Sequence, residues 1–492
     1  MPGAPLTGAE ALMWLLDDEP ALRSTFVSVS LLDHPADLAR LRERLVTAAG
    51  QLPVLRQRVV APAFGLVPPW WADDPDFDVA RHVRAERVPA PGALRDVLDL
   101  AAARAAAPFD TAHPLWELTV VDGLEDGRGA LVAKLHHVLA DGVGAVRLSA
   151  SFLDASPSPD VPQAAPAPGA ARGPDAGGRT GAAPPRLPDL AALATDLVAP
   201  LAAGAEEVRR AVAGVAAGVA HAARDPNGAA ADAWGAARAV ARQATMLEPA
   251  RSPLWAKRAH DHRFEVTSLA LGDVRAAGKA LGGTVNDVFV TIIAAAAGAY
   301  HRAHGAPVDE LRVSVPISTR RDHDASRNAW APARVVVPTG DLRPADRVAE
   351  VHRRLNAVKS DPSLGLVDLV ATSARLLPRP LLVRLALRGV GTVDFACSNV
   401  RGAPFDLWIA GSHLEANYPF GPTAGVAFNA TVLSYGESLD LGLNADTGAV
   451  EDPAELRACI DAAADEVLGM ARRRRRRAPG TPPAGGQLGG NA

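Results

Sequence analysis

The sequence predicts an α/β fold built from two linked halves with a crevice between them. The chain has 492 residues, which is enough for two domains of ordinary size, each with its own core. Strand-like and helix-like segments alternate in both halves. Residues 156–188 are rich in Pro, Ala and Gly and carry few large apolar side chains, which is typical of a linker. A crevice between two such halves is a usual place for a ligand site.

Residues 1–155 are predicted to form the first α/β half. Residues 116–122 are strand-like, and the turn-rich stretch 122–127 leads into a largely buried returning strand at 130–136. Residues 144–153 repeat Ala, Val and Leu at helical spacing, which predicts a helix. A pair of histidines therefore falls at the C-terminal end of a strand, where a loop begins.

Residues 156–250 are predicted to join the halves as the linker and then as Ala-rich helices over 190–246, broken at 225–228. These helices are predicted to pack on the rest of the protein, and a helix with one side facing lipid is the alternative. Residues 471–492 contain six consecutive arginines and are predicted to be a disordered tail. The alternative is attraction of this tail to anionic lipid, at about 1 kcal/mol per basic residue.

Residues 251–470 are predicted to form the second half, where strands and helices alternate from about residue 264. Pro378 and Pro380 are expected to break the helix in which they fall, because proline has no N–H to donate. The predicted strands are 264–271, 311–316, 333–338 and 439–443. The predicted helices are 273–281, 286–300, 345–360, 364–387 and 453–470.

Bulk composition favours a globular protein that is soluble or peripheral to a membrane, with 48% hydrophobic and 22% charged residues. The net charge of −4 gives no general case for nucleic-acid binding. The longest strongly apolar run, 288–300, is too short to span a bilayer. No signal peptide is expected, because acidic residues at 17–19 interrupt the first apolar run. We therefore expect a cytoplasmic protein, with peripheral contact to the plasma membrane's inner face or to lipid bodies as an extension.

The chain has only two cysteines, Cys397 and Cys459, far apart in the sequence. They form no metal-ligand cluster and no disulfide framework, which favours a reducing compartment. For Cys397 a buried, inert thiol is expected rather than a reactive one. The sequence predicts neither a metal site nor a bound redox cofactor, and it leaves the oligomeric state open.

The stretch from His136 to Gly142 reads His-His-Val-Leu-Ala-Asp-Gly and carries the residue types for proton transfer. The unperturbed pKa of histidine lies near neutrality, so His137 can take a proton from a hydroxyl and return it. Asp141 is placed to hold that ring or its loop, and Gly142 is expected to supply backbone freedom at a turn. The alternative is a buried, hydrogen-bonded histidine pair that closes the strand.

This stretch resembles the HHxxxDG acyltransferase superfamily, and the chain resembles the bacterial wax ester synthase/acyl-CoA:diacylglycerol acyltransferase family over roughly residues 8–470. The blocks that carry the resemblance together are 11–16, 55–58, 69–71, 76–83, 89–92, 114–117, 284–289, 315–320 and 433–446. The chain departs from the family pattern at 19–24, at 327–328 and at 399–403, where Asn-Val-Arg-Gly-Ala replaces Asn-Val-Pro-Gly-Pro. These departures bear on the acceptor and the acyl chain length more than on the reaction.

The resemblance implies two chloramphenicol acetyltransferase-like domains with mixed sheets flanked by helices, and an active-site channel holding His137 at their interface. It implies acyl transfer from acyl-CoA, a substrate and not a cofactor, to diacylglycerol or a long-chain alcohol, forming triacylglycerol or wax ester. His137 would be the general base, and attack would be direct because the chain has no Gly-x-Ser-x-Gly nucleophile elbow. Asp141 would orient the loop and His137, while His136 would be structural or set the tautomer of His137.

The tetrahedral oxyanion of such a reaction needs hydrogen-bond donors in a dry site. Asn286, Asn399 and Ser434 lie in family-like blocks and carry donor side chains, and Gly142 completes the predicted substrate-binding set. The alternative for these three side chains is that they cap helices or close turns. Two other functions stay open: the same chemistry on another acceptor, such as a glycolipid or polyketide-type alcohol, and a non-catalytic protein that binds lipid bodies.

Overall fold

The computed structural model describes residues 4–61, 69–157, 248–318, 330–359 and 377–477. Within these ranges the chain forms a seven-stranded sheet, a six-stranded sheet, a two-stranded sheet and ten α-helices. Both large sheets mix parallel and antiparallel pairs, and helices pack against them. This architecture confirms the predicted α/β class.

Fifteen strands, numbered in chain order, build the sheets. The first seven are β1 (Thr25–Leu32), β2 (Gln57–Val60), β3 (Trp70–Asp73), β4 (Val83–Arg87), β5 (Trp116–Asp122), β6 (Gly129–His136) and β7 (Leu153–Asp154). The others are β8 (His262–Ala270), β9 (Glu310–Ser318), β10 (Trp330–Pro338), β11 (Phe395–Arg401), β12 (Trp408–Ile409), β13 (Ser412–Phe420), β14 (Phe428–Tyr435) and β15 (Ser438–Asp446).

Helices are likewise numbered in chain order. The first five are α1 (Gly8–Leu16), α2 (Leu38–Gln51), α3 (Val79–His82), α4 (Leu94–Ala106) and α5 (Gly142–Ser149). The other five are α6 (Leu271–Leu281), α7 (Val285–Ala303), α8 (Pro344–Lys359), α9 (Arg379–Val390) and α10 (Pro453–Arg477). Short 3₁₀ turns occur at Pro20–Leu22, Pro53–Arg56 and Glu125–Gly127.

The seven-stranded sheet has the order β4-β5-β6-β1-β13-β12-β7. Its strand β6 is buried at all eight positions and pairs antiparallel with β5 and β1, which fixes where the histidine pair emerges. On its other edge β1 pairs with β13, a strand from the predicted second half. The strands β12 and β13 join the first sheet because the unpaired edge of β1 needs hydrogen-bond partners. The predicted boundary at residue 251 therefore does not separate the two sheets.

The six-stranded sheet has the order β10-β9-β11-β14-β15-β8, with β11 parallel to both β9 and β14. The helix α7 lies in the core of this half, and every residue from Val288 to Gly298 is buried. This burial confirms the prediction of a buried helix over 288–300. Among the described helices, none alone has the length and apolar composition to cross a bilayer; α6 and α7 pass only as a pair bent by 94°.

Two predicted segments differ from the structure. The helix predicted at 144–153 ends at Ser149, because Leu153–Asp154 pair with β12 as a strand. The last helix continues through Arg477, so residues 471–477 are helical and not a disordered tail, since arginine favours helix and each added turn extends an existing one.

Other predictions fall outside the described residues. These are residues 478–492 of the predicted tail and residues 158–247 of the predicted linker and Ala-rich helices. Residues 364–376 of the helix predicted over 364–387 also lie there. Its C-terminal part is α9, which begins directly after Pro378 and holds Pro380 in its first turn, so the described residues show a helix start at these prolines.

Candidate active site

The histidine pair stands at the end of the most buried strand of the first sheet. His136 is the last residue of β6 and lies opposite Thr25 of β1. The next residue, His137, donates its backbone N–H to the carbonyl of Ser24 at 2.9 Å. Both histidines are therefore held by the start of β1, at the C-terminal end of a strand as predicted.

The ring of His136 is 1% exposed, and both of its nitrogens lie within 3.0 Å of a polar atom. Its Nδ1 accepts the N–H of Val138 at 3.0 Å, which places the ring proton on Nε2. That Nε2 lies 2.8 Å from Oδ1 of Asp17. Trp14 and Phe109 approach the same ring edge-on, with centroids 6.4 and 6.1 Å away. His136 is thus fixed in one tautomer and one orientation.

Asp17, which the sequence marks only as an interruption of an apolar run, is the partner that fixes His136. It follows the last turn of α1, and its Oδ1 also accepts the N–H of Ser24 at 3.0 Å. Burial alone would raise the pKa of Asp17, but the His136 contact, the Ser24 N–H and nearby Arg23 together lower it below its ordinary value. No local sequence pattern could identify this contact, because it joins α1 to the end of β6.

His137 is partly buried, and its ring packs against Phe26 with centroids 4.9 Å apart. Burial lowers the pKa of His137 to about 4, and the neighbouring His136 adds to this effect while Asp141 opposes it. At neutral pH the imidazole is therefore neutral and able to accept a proton. This is the state that a general base needs before reaction.

Asp141 and Gly142 begin the helix that follows the histidines. Asp141 is 6% exposed and caps α5 by accepting the N–H of Gly144 at 2.7 Å. A Cβ on Gly142 would lie 2.9 Å from Cγ2 of Val400 in β11. The φ angle of Gly142 is not positive, so the predicted need for backbone freedom is wrong there; close approach to the second sheet is the reason for glycine.

The three predicted oxyanion donors lie around the end of β11, where Asn286 and Asn399 contact each other. Nδ2 of Asn399 lies 3.4 Å from Oδ1 of Asn286, which is the second residue of α7. Ser434 accepts the N–H of Gly402 at 3.3 Å through its Oγ. Side chains alternate along a strand, so Asn399 and Val400 point to opposite faces of β11. The group therefore adjoins the histidine motif through the Gly142–Val400 contact, but from the other face.

Asp287, next to Asn286, has a structural environment. It is 1% exposed, and its Oδ2 accepts hydrogen bonds from the N–H and the hydroxyl of Thr284. The same oxygen lies 2.7 Å from Nδ1 of His352 in α8. The Asn-Asp block thus begins α7 with a capping box and ties that helix to α8.

Cys397 is 1% exposed, and burial raises the pKa of its thiol well above the ordinary value. Both features disfavour reaction of the thiol and support the prediction of an unreactive cysteine, because the thiolate is the reactive form. Within the described ranges, no three His, Cys, Asp or Glu side chains are grouped so as to hold a metal ion.

Two family models match the chain in succession. The wax ester synthase/diacylglycerol acyltransferase catalytic domain matches residues 6–289, and the C-terminal domain of the same family matches residues 329–467. A putative diacylglycerol O-acyltransferase of Mycobacterium tuberculosis is 30% identical over 464 residues, covering 94% of this chain and 91% of that protein. The chain belongs to the wax ester synthase/diacylglycerol acyltransferase family.

Solved structures share the fold of this chain. The wax ester synthase/diacylglycerol acyltransferase from Marinobacter aquaeolei VT8 superposes with a TM-score of 0.61 at 22% identity, covering 95% of this chain and all of that one. The first condensation domain of the calcium-dependent antibiotic synthetase gives 0.57 at 17% identity, covering 96% of each chain. The predicted family, its two-domain fold and its acyltransferase class are thereby confirmed.

Proposed function

We propose that this family member transfers a long-chain acyl group from acyl-CoA to the hydroxyl of diacylglycerol or of a long-chain alcohol, with His137 as general base. The observation that carries the proposal is a neutral, partly buried imidazole at the end of β6. Its backbone is held by Ser24, and its neighbour His136 is held by Asp17. A base fixed in this way has its geometry set before substrate arrives, which lowers the entropic part of the barrier.

In the proposed reaction, His137 removes the proton from the acceptor hydroxyl as that oxygen attacks the thioester carbonyl carbon. The tetrahedral intermediate then collapses, the carbon–sulfur bond breaks, and the imidazolium returns the proton to the leaving thiolate. The products are an ester and free CoA. Direct attack is supported by the buried, high-pKa thiol of Cys397, which is unsuited to carry an acyl group.

Two other predicted roles belong to the proposal. Asp141 keeps the loop in place by capping α5, and its negative charge favours the imidazolium that forms at His137 during reaction. Asn286, Asn399 and Ser434 remain the proposed donors to the oxyanion. The Gly142–Val400 contact, which brings β11 to the histidine motif, supports this role, whereas the opposite direction of Asn399 weighs against it.

The proposal is tested by thiol release from palmitoyl-CoA, with diacylglycerol, hexadecanol or no acceptor. Wild type is compared with His137→Ala and with His34→Ala, a change at an exposed histidine paired with Asp33. We expect acceptor-dependent release in wild type and His34→Ala, and loss of at least about a hundredfold in His137→Ala. Equal activity of all three proteins would remove His137 from the chemistry and favour a non-catalytic role for the motif.

A different acceptor is the second candidate, favoured by the altered stretch after Asn399. Arg401, which stands where the family usually has proline, is exposed at the end of β11. A charged side chain at this position changes the surface that an acceptor meets. Screening glycolipids and polyketide-type alcohols with one acyl-CoA distinguishes this candidate from the first, because only the preferred acceptor accelerates thiol release.

A further inference from the structure

The helix α9 exposes an unusual amount of apolar surface. Six large hydrophobic side chains are exposed in the described part of the chain, and three of them belong to this 12-residue helix. They are Leu381, Leu385 and Leu387, which are 44%, 46% and 37% exposed. A cluster of apolar side chains on one short helix differs from the single exposed residues that are normal on any surface.

Basic side chains share this exposed side. Arg384 and Arg388 lie one helical turn apart and are both exposed, as are Leu381 and Leu385, also one turn apart. At about 100° per residue, the two pairs form adjacent rows on the same side of α9. The helix contains no acidic residue, and Leu382, which is 4% exposed, anchors the other side to the protein.

The helix also lies next to the segment that holds the histidine pair. It packs against α1 and against the turn Pro20–Leu22. At its start, Arg379 donates from Nε to the carbonyl of Leu15 at 3.4 Å and forms an ion pair with Asp18. The neighbouring residue, Asp17, is the one that contacts His136. The helix α9 thus packs against the same segment, α1 and the residues after it, that positions the proposed base.

We propose that α9 docks the protein on an anionic lipid surface, with Leu381 and Leu385 entering the acyl boundary and Arg384 and Arg388 at the phosphate level. Adjacent rows of leucine and arginine suit an anionic lipid surface. Lipid phosphates neutralise the guanidinium groups, and acyl chains cover the apolar side chains. The inference rests on the proposed function in one respect. A lipid acceptor is delivered beside the histidine pair if docking occurs at α9.

The test is flotation of the full-length protein, without substrates, on vesicles of phosphatidylcholine alone or with phosphatidylglycerol added. Two double variants change the face: Leu381→Ser with Leu385→Ser, and Arg384→Gln with Arg388→Gln. One matched control is Val46→Ser with Leu342→Ser, two exposed apolar residues elsewhere. The other is Arg472→Gln with Arg473→Gln, two exposed residues at the start of the arginine run. We expect each α9 variant to lower binding to the anionic vesicles on the order of tenfold, with the Val46 and Leu342 control unchanged.

The proposal would be overturned if the α9 variants bound anionic vesicles as well as wild type does. It would also be overturned if the Val46 and Leu342 control lost as much binding as the α9 variants. Binding lost only in the Arg472 and Arg473 control would also overturn it and assign docking to the end of α10. Thermal melts, and acyl transfer from a short-chain acyl-CoA to a water-soluble alcohol, check that each variant is folded. If the leucine variant unfolds, the arginine variant still tests the proposal. Flotation needs no turnover, so a protein that does not bind vesicles leaves the proposed acyl transfer intact. A protein that binds vesicles but transfers no acyl group would overturn the proposed function and keep the docking proposal.

Discussion

Oδ1 of Asp17 lies 2.8 Å from Nε2 of His136 and 3.0 Å from the backbone nitrogen of Ser24. The carbonyl of that same Ser24 accepts the N–H of His137. One carboxylate therefore connects both histidines, the first through its ring and the second through the backbone. The arrangement makes Asp17 a positioning residue for the proposed base, acting through His136 and Ser24.

Replacing Asp17 tests this positioning role. We expect Asp17→Ala to lower kcat about tenfold with little change in the KM for acyl-CoA, because the base is displaced while the binding surface is kept. Asp17→Asn should restore part of kcat, since an amide oxygen still accepts the Ser24 N–H. Asp18→Ala is the control, at a neighbouring carboxylate that is 80% exposed. Equal losses at both positions would make the effect one of general stability.

The low pKa of His137 predicts the acid limb of the pH–rate profile. Burial, assisted by His136, lowers this pKa from 6.5 to about 4. Since kcat/KM reports groups of the free enzyme, we expect it to stay level from neutrality to about pH 5 and to fall only near pH 4. Initial rates of thiol release, with circular dichroism confirming the fold at each pH, give this profile. A half-maximal rate near pH 6.5 would show that the base titrates as an ordinary histidine.

The same shift predicts a pH dependence of stability with a definite sign. Between pH 6.5 and about pH 4, the unfolded chain binds a proton at His137 that the folded chain does not. The free energy of unfolding should therefore fall as pH falls through this window, and be unaffected by His137 above it. Urea unfolding across the window should show a shallower decline for His137→Gln than for wild type. Parallel curves for the two proteins would contradict the shift.

Gly142→Ala tests the contact between the histidine motif and the second sheet. Its Cβ would lie 2.9 Å from Cγ2 of Val400, so we expect a destabilisation of about 1–3 kcal/mol and reduced activity. Val400→Ala removes the clash, so the double variant should recover stability relative to Gly142→Ala. Gly272→Ala, in α6 with nothing within 4 Å of the added carbon, is the matched control and should be neutral or stabilising. Additive losses in the double variant would exclude the contact as the cause.

Asn399→Ala tests the proposed oxyanion donors. If Asn286 and Asn399 act as one unit, either change to alanine should lower kcat by about a hundredfold, and the double variant should be little worse. KM should change little, because the oxyanion exists only along the reaction path. Ser434→Ala measures the third predicted donor by the same assay. Unchanged kcat in all three would assign these side chains to closing the end of β11 and the start of α7.

Segments with strong local patterns could be predicted from sequence. The buried run of β6 and the apolar helix α7 fall where hydrophobicity and periodicity place them, because β6 is buried at every position and α7 is buried from Val288 to Gly298. Strands β11 and β13 carry polar and aromatic residues without a clear alternation. Their strand state comes from pairing with β14 and β1, which lie elsewhere in the chain, so no local pattern announces it.

By itself, the sequence determined the family and the α/β class, and it singled out the candidate site, because His137 and Asp141 lie within one short stretch whose residue types suit proton transfer. Only the tertiary structure decided what holds that stretch. It brought Asp17 to His136, placed Gly142 against Val400, and put Asn399 on the opposite face of β11. It also left the leucines and arginines of α9 facing outward together. The physical reason is that these relationships depend on which strand edges pair and how closely packed elements approach, and short-range spacing encodes neither.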